Sequence, residues 1–299
     1  MAVLSRVIAV ILCLAWTTAD AGEVRLEQSA PSPALGGEVI YGIYLPDGYD
    51  APGARFPVIY LLHGYGGGHR EWFKGGQIDA LLDRLIDEGA IPPVIAVTPA
   101  AGKSWYVDSA RFGGPGDYAT AIARDLVVAV DAAWPTVAMR EGRAIVGNSM
   151  GGHGALRLGL GHPDLFGTIA ALSPAIWKPG GVSWRLSPQF GDGEALEKWF
   201  PRTTGAQFDR AVLDTQSPFQ HVATAAIHDP APRVWLGTGD DDYFELQDGT
   251  VDMYLELRAN GITPELRVID GKHNWATWRR MTGDMIRWIS AGFTPAAGR

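Results

Sequence analysis

Apolar residues fall into short, nearly continuous runs separated by longer amphipathic stretches. Phe56-Pro-Val-Ile-Tyr-Leu-Leu62 and Pro93 to Thr98 are almost unbroken, the pattern of strands buried on both faces of a parallel sheet. Thr168 to Leu172, Val234 to Leu236 and Glu265 to Ile269 read as further strands. Ahead of them, Gly22 to Gly37 suggests an edge strand with a turn at Pro31-Ser-Pro33, and Val39 to Leu45 alternates as a second strand. Ile78, Leu81, Leu82, Leu85 and Ile86 recur at helical spacing, with Gly89 after the last turn. Tyr118 to Trp134 is predicted to be a helix with Ile122, Leu126, Ala129, Val130 and Ala133 inward, stopped by Pro135. Two more helices are expected near Val251 to Asn260 and from about Ala276 to Ala291. Strands alternating with amphipathic helices imply an α/β fold, a mostly parallel sheet covered on both faces. Lys178 to Arg233 breaks this rhythm with Gly, Pro, Asp and aromatic residues, and reads as an excursion over the active-site face.

One junction stands apart. The apolar run Ala144 to Val146 meets Gly147-Asn-Ser-Met-Gly151 and passes into a small-residue helical pattern. A G-x-S-x-G turn between strand and helix exposes the serine hydroxyl, and its glycines keep Cβ atoms out of neighbouring backbone. The amides that follow open a helix, where a developing oxyanion is well received. Ser149 is therefore the candidate nucleophile.

A serine needs a base to take its proton. Of seven histidines, His63 sits in a glycine-rich loop and is better placed to shape backbone N–H groups. His153 is one turn along the elbow helix, a packing position, and His162 ends that helix. His221 and His228 lie in the excursion and could line the cleft. His273 follows the last strand in Asp270-Gly-Lys-His-Asn-Trp275, where Ser-Asp-His chain order places the base. The acid should come between them, and Val234-Trp-Leu-Gly-Thr-Gly-Asp240 fits, with Asp241 and Asp242 adjacent. The glycines at 237 and 239 suggest a turn just past the strand, which makes Asp240 the first carboxylate beyond it. Three successive carboxylates also suit a solvated loop or a weak cation site. A calcium loop spaces its oxygen ligands more widely. One oxyanion donor would be the Met150 N–H and the other an amide of His63-Gly-Tyr-Gly-Gly-Gly68. That loop lacks the G-K-[ST] ending of a phosphate loop.

Net charge −8 and a pI near 5.3 argue against nucleic-acid partners. The chain starts with Arg6, an apolar core Val7 to Trp16 and an Ala19-Asp-Ala21 site, the features of a cleavable secretory signal. The expected organisation is a signal peptide over 1–21, cut after Ala21. A single domain over 22–299 follows it, with the excursion at about 178–233. The apolar segment is too short to span a membrane, so no stable membrane insertion is expected. Cleavage removes the single cysteine, Cys13, and with it any disulfide or thiol chemistry.

These motifs resemble the esterase D-type branch of the α/β-hydrolases, which includes feruloyl and acetylxylan esterases, S-formylglutathione hydrolases and mycolyltransferases. The resemblance covers about Val39 to Ser290. It rests on Leu61-Leu-His-Gly, Ser104-Trp-Tyr-Val-Asp-Ser109, Gly147-Asn-Ser-Met-Gly-Gly, His162-Pro-Asp-Leu-Phe166, Gly237-Thr-Gly-Asp240 and His273-Asn-Trp-Ala-Thr-Trp278. It implies an α/β-hydrolase fold with Ser149 as nucleophile, His273 as base, Asp240 as acid, and Tyr65 and Met150 as oxyanion donors. It implies no metal and no cofactor. The implied activity is that of a secreted or periplasmic serine carboxylesterase acting on a small-molecule or carbohydrate ester. The lean is toward an acyl or phenolic ester of a sugar, with Trp105, Trp177 and Trp275 as candidate substrate-binding rings. Trp72 and Trp184 also lie near predicted cleft loops. Alternatives are acyl transfer to a sugar hydroxyl, or a catalytically silent binding protein on the same fold, which an intact Ser/His/Asp set argues against.

Export makes a direct prediction: N-terminal sequencing of extracted mature protein should begin at or within a few residues of Gly22. Recovery of intact Met1 in a membrane fraction would instead identify the segment as an anchor.

Overall fold

In the computed structural model the described residues are 21–180, 198–200 and 202–293. Residues 1–20 of the expected signal peptide (1–21) and part of the excursion, including Trp184, lie outside them. Eight strands form one sheet in the order β1-β2-β4-β3-β5-β6-β7-β8. These are β1 Glu23–Ser32, β2 Gly37–Leu45, β3 Val58–Leu62, β4 Ile95–Pro99, β5 Arg143–Asn148, β6 Thr168–Leu172, β7 Arg233–Gly239 and β8 Glu265–Ile269. The β1/β2 and β2/β4 pairs are antiparallel, and every pair from β4 through β8 is parallel. This is the α/β-hydrolase arrangement.

The continuous apolar runs are explained by the two cores they serve. Along β3, Val58, Tyr60 and Leu62 enter one core with Ile122, Leu126 and Val130 of the long helix region after β4. The same core takes Leu156 and Leu158 from α5 (Met150–Gly161). Ile59 and Leu61 point to the other face, against α2 (Ile78–Asp87) and the last helix (Trp275–Ser290). All five β3 side chains are fully buried. Each such aliphatic side chain contributes roughly 1.5–3 kcal/mol.

The remaining helices, in chain order, are α1 Glu71–Lys74, α3 Tyr118–Thr120, α4 Val127–Ala133, α6 Arg210–Thr215, α7 Val222–Ala226 and α8 Leu246–Ala259, with the last helix as α9. Between α3 and α4 the backbone takes a wide π turn over Ala121–Leu126. The extra residue rotates every later side chain by about 100° relative to an uninterrupted helix. Val127 therefore turns inward, while Ala133, expected inward, is exposed. Strand β7 also runs to Gly239, three residues beyond its apolar segment. No helix among the described residues is long and apolar enough to cross a membrane.

Backbone packs on backbone where β5 meets α5. A Cβ on Gly151 would lie 2.2 Å from the Leu62 carbonyl oxygen and 2.7 Å from that of His63, and one on Gly147 would lie 2.0 Å from the Gly151 carbonyl oxygen. None of these can move aside as a side chain would. Gly151→Ala should lower unfolding free energy in urea by at least ~1–3 kcal/mol. Gly283→Ala in α9, whose Cβ would meet nothing nearer than 3.6 Å, should be neutral or stabilising by about 0.5–1 kcal/mol. Equal urea midpoints for wild type and Gly151→Ala would refute this packing account.

Candidate active site

Strand β5 delivers Asn148 to the sheet edge, and Ser149 turns the chain with φ 56° and ψ −119° before α5 begins at Met150. This positive-φ conformation is strained for a residue with a Cβ and is held by its surroundings. The Ser149 N–H donates to the Leu172 carbonyl at 2.9 Å, and its carbonyl accepts from Ala175 at 3.0 Å. The hydroxyl is thereby left at the mouth of the turn.

His273 reaches it from the loop between β8 and α9. Its Nε2 lies 2.9 Å from Ser149 Oγ, and its Nδ1 lies 2.7 Å from Asp242 Oδ2. An ionised carboxylate only accepts, so Nδ1 carries the proton and Nε2 is the lone-pair side facing the serine hydroxyl. The imidazole is boxed edge-to-face by Phe244, Tyr243 and Trp278 at centroid distances of 4.9, 5.7 and 4.9 Å.

The carboxylate on His273 is thus Asp242, where the sequence pattern pointed to Asp240. The cause is the length of β7. Gly237 and Gly239 are strand residues rather than a turn, and they lack side chains because other groups fill the space. A Cβ on Gly237 would strike the Trp235 ring, and one on Gly239 would lie 2.2 Å from the Gly271 carbonyl oxygen. The pairing with β8 continues as the Asp240 and Asp241 N–H groups donate to Ile269 and Gly271. Asp240 is exposed, and its Oδ1 accepts the Gly271 N–H at 3.0 Å, so it braces the histidine loop without touching the ring. The chain turns at Asp240 and Asp241, just past the end of β7, and this carries Asp242 inward to a buried position. There Asp242 Oδ1 also accepts the Phe244 N–H at 2.9 Å, which fixes the carboxylate plane.

The loop after β3 is pinned from several sides. His63 is buried, and burial lowers its pKa to about 4, so the ring is neutral. Its Nε2 accepts the Ala101 N–H at 2.9 Å, and its Nδ1 donates to the Gly64 carbonyl at 2.7 Å. Tyr106 Oη donates to the His63 carbonyl at 3.1 Å. The Gly64 N–H is spent on Glu71 Oε2 at 3.1 Å, which leaves Tyr65 as the next amide along the loop. A cavity of about 460 Å³ opens beside these groups, lined by Tyr65, Trp105, Ser149, Trp199, Phe244 and His273 among others.

Residues 32–289 match the model of the Esterase family. The chain belongs to that family. The family and the fold make it a serine esterase, a hydrolase of carboxylic esters. The esterase is 25% identical over 249 residues to an acetyl esterase of Caldicellulosiruptor saccharolyticus, covering 81% of this chain and 86% of that one. It is 32% identical over 146 residues to an endo-1,4-beta-xylanase/feruloyl esterase of Xylanibacter ruminicola, covering 46% of this chain but only 20% of that larger protein. Among solved structures, a ferulic acid esterase superposes with a TM-score of 0.74 at 25% identity, over 91% of this chain and 99% of that one. The Mycobacterium tuberculosis MPT51 structure shares the fold with a TM-score of 0.67 at 21% identity, covering 92% and 100%.

The three candidate tryptophans of the esterase fare differently. Trp105 and Trp275 line the cavity. Trp177 is buried behind it, stacked on His153 at 5.0 Å and 11°, in an aromatic cluster with Trp105 and Phe200. It packs rather than faces substrate. Trp72 is likewise fully buried. His221 turns away toward Arg157. Sequence reasoning passed over Glu71 and the Tyr243–Phe244 pair. The visible signal for the latter was aromatic residues directly after the third aspartate.

The acid assignment has a clear test. Asp242→Asn should lower kcat by up to about 10⁴-fold. Asp241→Asn should stay near wild type. Asp240→Asn should keep most turnover, since the remaining amide oxygen can still accept the Gly271 N–H. Crippling by Asp240→Asn alone, with Asp242→Asn active, would reverse the assignment.

Proposed function

We propose that Ser149, His273 and Asp242 form a catalytic triad that hydrolyses esters through an acyl-enzyme. The observation that carries this reading is the continuous hydrogen-bonded line from Ser149 Oγ through both nitrogens of His273 to the buried Asp242 carboxylate. Ser149 Oγ attacks the ester carbonyl as His273 Nε2 takes its proton. The tetrahedral oxyanion is stabilised by the Tyr65 and Met150 amides, and His273 then returns the proton to the departing alcohol. Water repeats the sequence on the acyl-enzyme. Asp242 holds Nδ1–H and favours the imidazolium formed at each attack.

The substrate reading is an acyl or phenolic ester of a sugar. The rings of Tyr65, Trp105, Trp199, Phe244 and Trp275 around the cavity support it, because flat aromatic walls suit planar acyl groups and the apolar faces of sugars. The ferulic acid esterase and acetyl esterase relatives support it as well. Export directed by residues 1–21, ahead of the domain over 22–299, fits a substrate met outside the cytoplasm.

Ser149→Ala should lower kcat for p-nitrophenyl acetate by on the order of 10⁴-fold or more, with an unchanged urea midpoint. A fluorophosphonate should label wild type at Ser149. Labelling at a different serine, or an active Ser149→Ala variant, would overturn the reading. Comparing acetyl, butyryl and feruloyl esters, with and without acceptor sugars, measures the substrate class and the balance of hydrolysis against transfer.

A further inference from the structure

Glu71 is a second carboxylate at the site, outside the Ser149–His273–Asp242 line. It opens α1, borders the active-site cavity and is half-buried. Its Oε2 accepts the Gly64 N–H at 3.1 Å, and its Oε1 accepts Asn148 Nδ2 at 3.0 Å. The Trp275 indole N–H faces it as a third donor. These donors belong to three separate segments: the loop bearing the Tyr65 amide, the residue before Ser149, and the first turn of the helix after His273. Gly67 makes room for the carboxylate, since a Cβ there would lie 1.7 Å from Oε2.

We propose that ionised Glu71 is the positioning residue that holds the oxyanion loop against the serine elbow and the histidine loop, and that its protonation switches turnover off in acid. Resting on the triad reading above, this adds a control on it. The three surrounding groups are all donors, so only an acceptor on both oxygens satisfies them. A protonated carboxyl puts an O–H against an N–H and releases one segment. Displacing a reacting group by about 1 Å costs on the order of 10²-fold in rate.

Burial raises the Glu71 pKa above the ordinary carboxylate value, opposed by the hydrogen bonds from Asn148, Gly64 and Trp275 and by the field of His273. The other titratable group facing it, the Tyr106 phenol on the loop after β4, is itself held well up by burial and by Glu71 and stays neutral. A carboxyl with a raised folded pKa contributes stability that is fully present below its unfolded pKa and is lost as pH rises through the folded value. Acid therefore favours the fold at this residue while removing the clamp, so acid loss of kcat through Glu71 is not unfolding.

The test measures kcat and KM for p-nitrophenyl acetate against pH in wild type, Glu71→Gln and Asn148→Asp, each normalised to sites titrated with a fluorophosphonate. In wild type, the Glu71 protonation should make the acid limb of log kcat steeper by one in limiting slope than it is without that carboxyl. Glu71→Gln should lose on the order of 10²-fold in kcat per titrated site, with KM changed far less, and its limiting acid slope should be lower than wild type by one. Asn148→Asp sets two carboxylates side by side, so its steep limb should move to higher pH. If Glu71→Gln does not fold, the Asn148→Asp shift decides alone. Glu71→Gln with wild-type kcat and slope, or Asn148→Asp with an unmoved limb, overturns the inference. Absence of fluorophosphonate labelling in wild type would instead defeat the triad reading.

Discussion

Contact between main chains at the β5–α5 junction is the constraint on which the site depends. Ser149 occupies a positive-φ conformation only because the Leu62 and His63 carbonyls press on Gly151 and the Leu172 carbonyl holds the Ser149 N–H. Those same carbonyls belong to the end of β3 and the start of the loop that carries Tyr65. The proposed nucleophile and oxyanion donors are therefore set by one packing arrangement, at the carboxyl ends of two neighbouring parallel strands. Parallel register makes this possible, because it brings the ends of β3, β5, β6 and β7 to one edge, with β8 alongside.

On the far side of the site the constraint is reach. His273 sits on a loop shaped by side chain to backbone links: Asp240 to the Gly271 N–H, Thr277 Oγ1 to the Lys272 N–H, and Asn274 capping α9 through the Thr277 N–H. Three aromatic edges then fix the ring. Each neighbour of the imidazole thus either orients it or excludes water from it, which strengthens the hydrogen bonds to Asp242 and Ser149. Glu71 joins this half of the site to the other through Trp275 and Gly64. A group in that position couples the two halves whatever ester is bound.

Much of this was legible in order along the chain. Buried parallel strands appear as unbroken apolar runs because both faces are covered, and the observed β3 and β6 follow the expected segments closely; the edge strand β8, only partly buried, also matches its segment. The meeting of Ser149 and His273 was readable because each lies in a local motif, a turn flanked by glycines and a histidine just past the last strand. Helix phase after the π turn was not readable, since one extra backbone residue leaves no mark in the residue types.

The acid separates what sequence determines from what tertiary structure decides. Composition and spacing place three carboxylates after β7 and require that one serve the histidine. Which one depends on how far β7 continues beside β8, and that is set by long-range backbone bonds from Asp240 and Asp241 to Ile269 and Gly271. Gly237 and Gly239 looked like turn residues but are gaps filled by Trp235 and by the Gly271 backbone. Glycine carries no sign of whether it is there for its φ or for the space it leaves. The sequence alone therefore determined the fold and named the candidate nucleophile and base. Only packing between segments distant in the chain decided that Asp242 is buried, that Asp240 braces a loop, and that Trp177 faces His153 rather than the cavity.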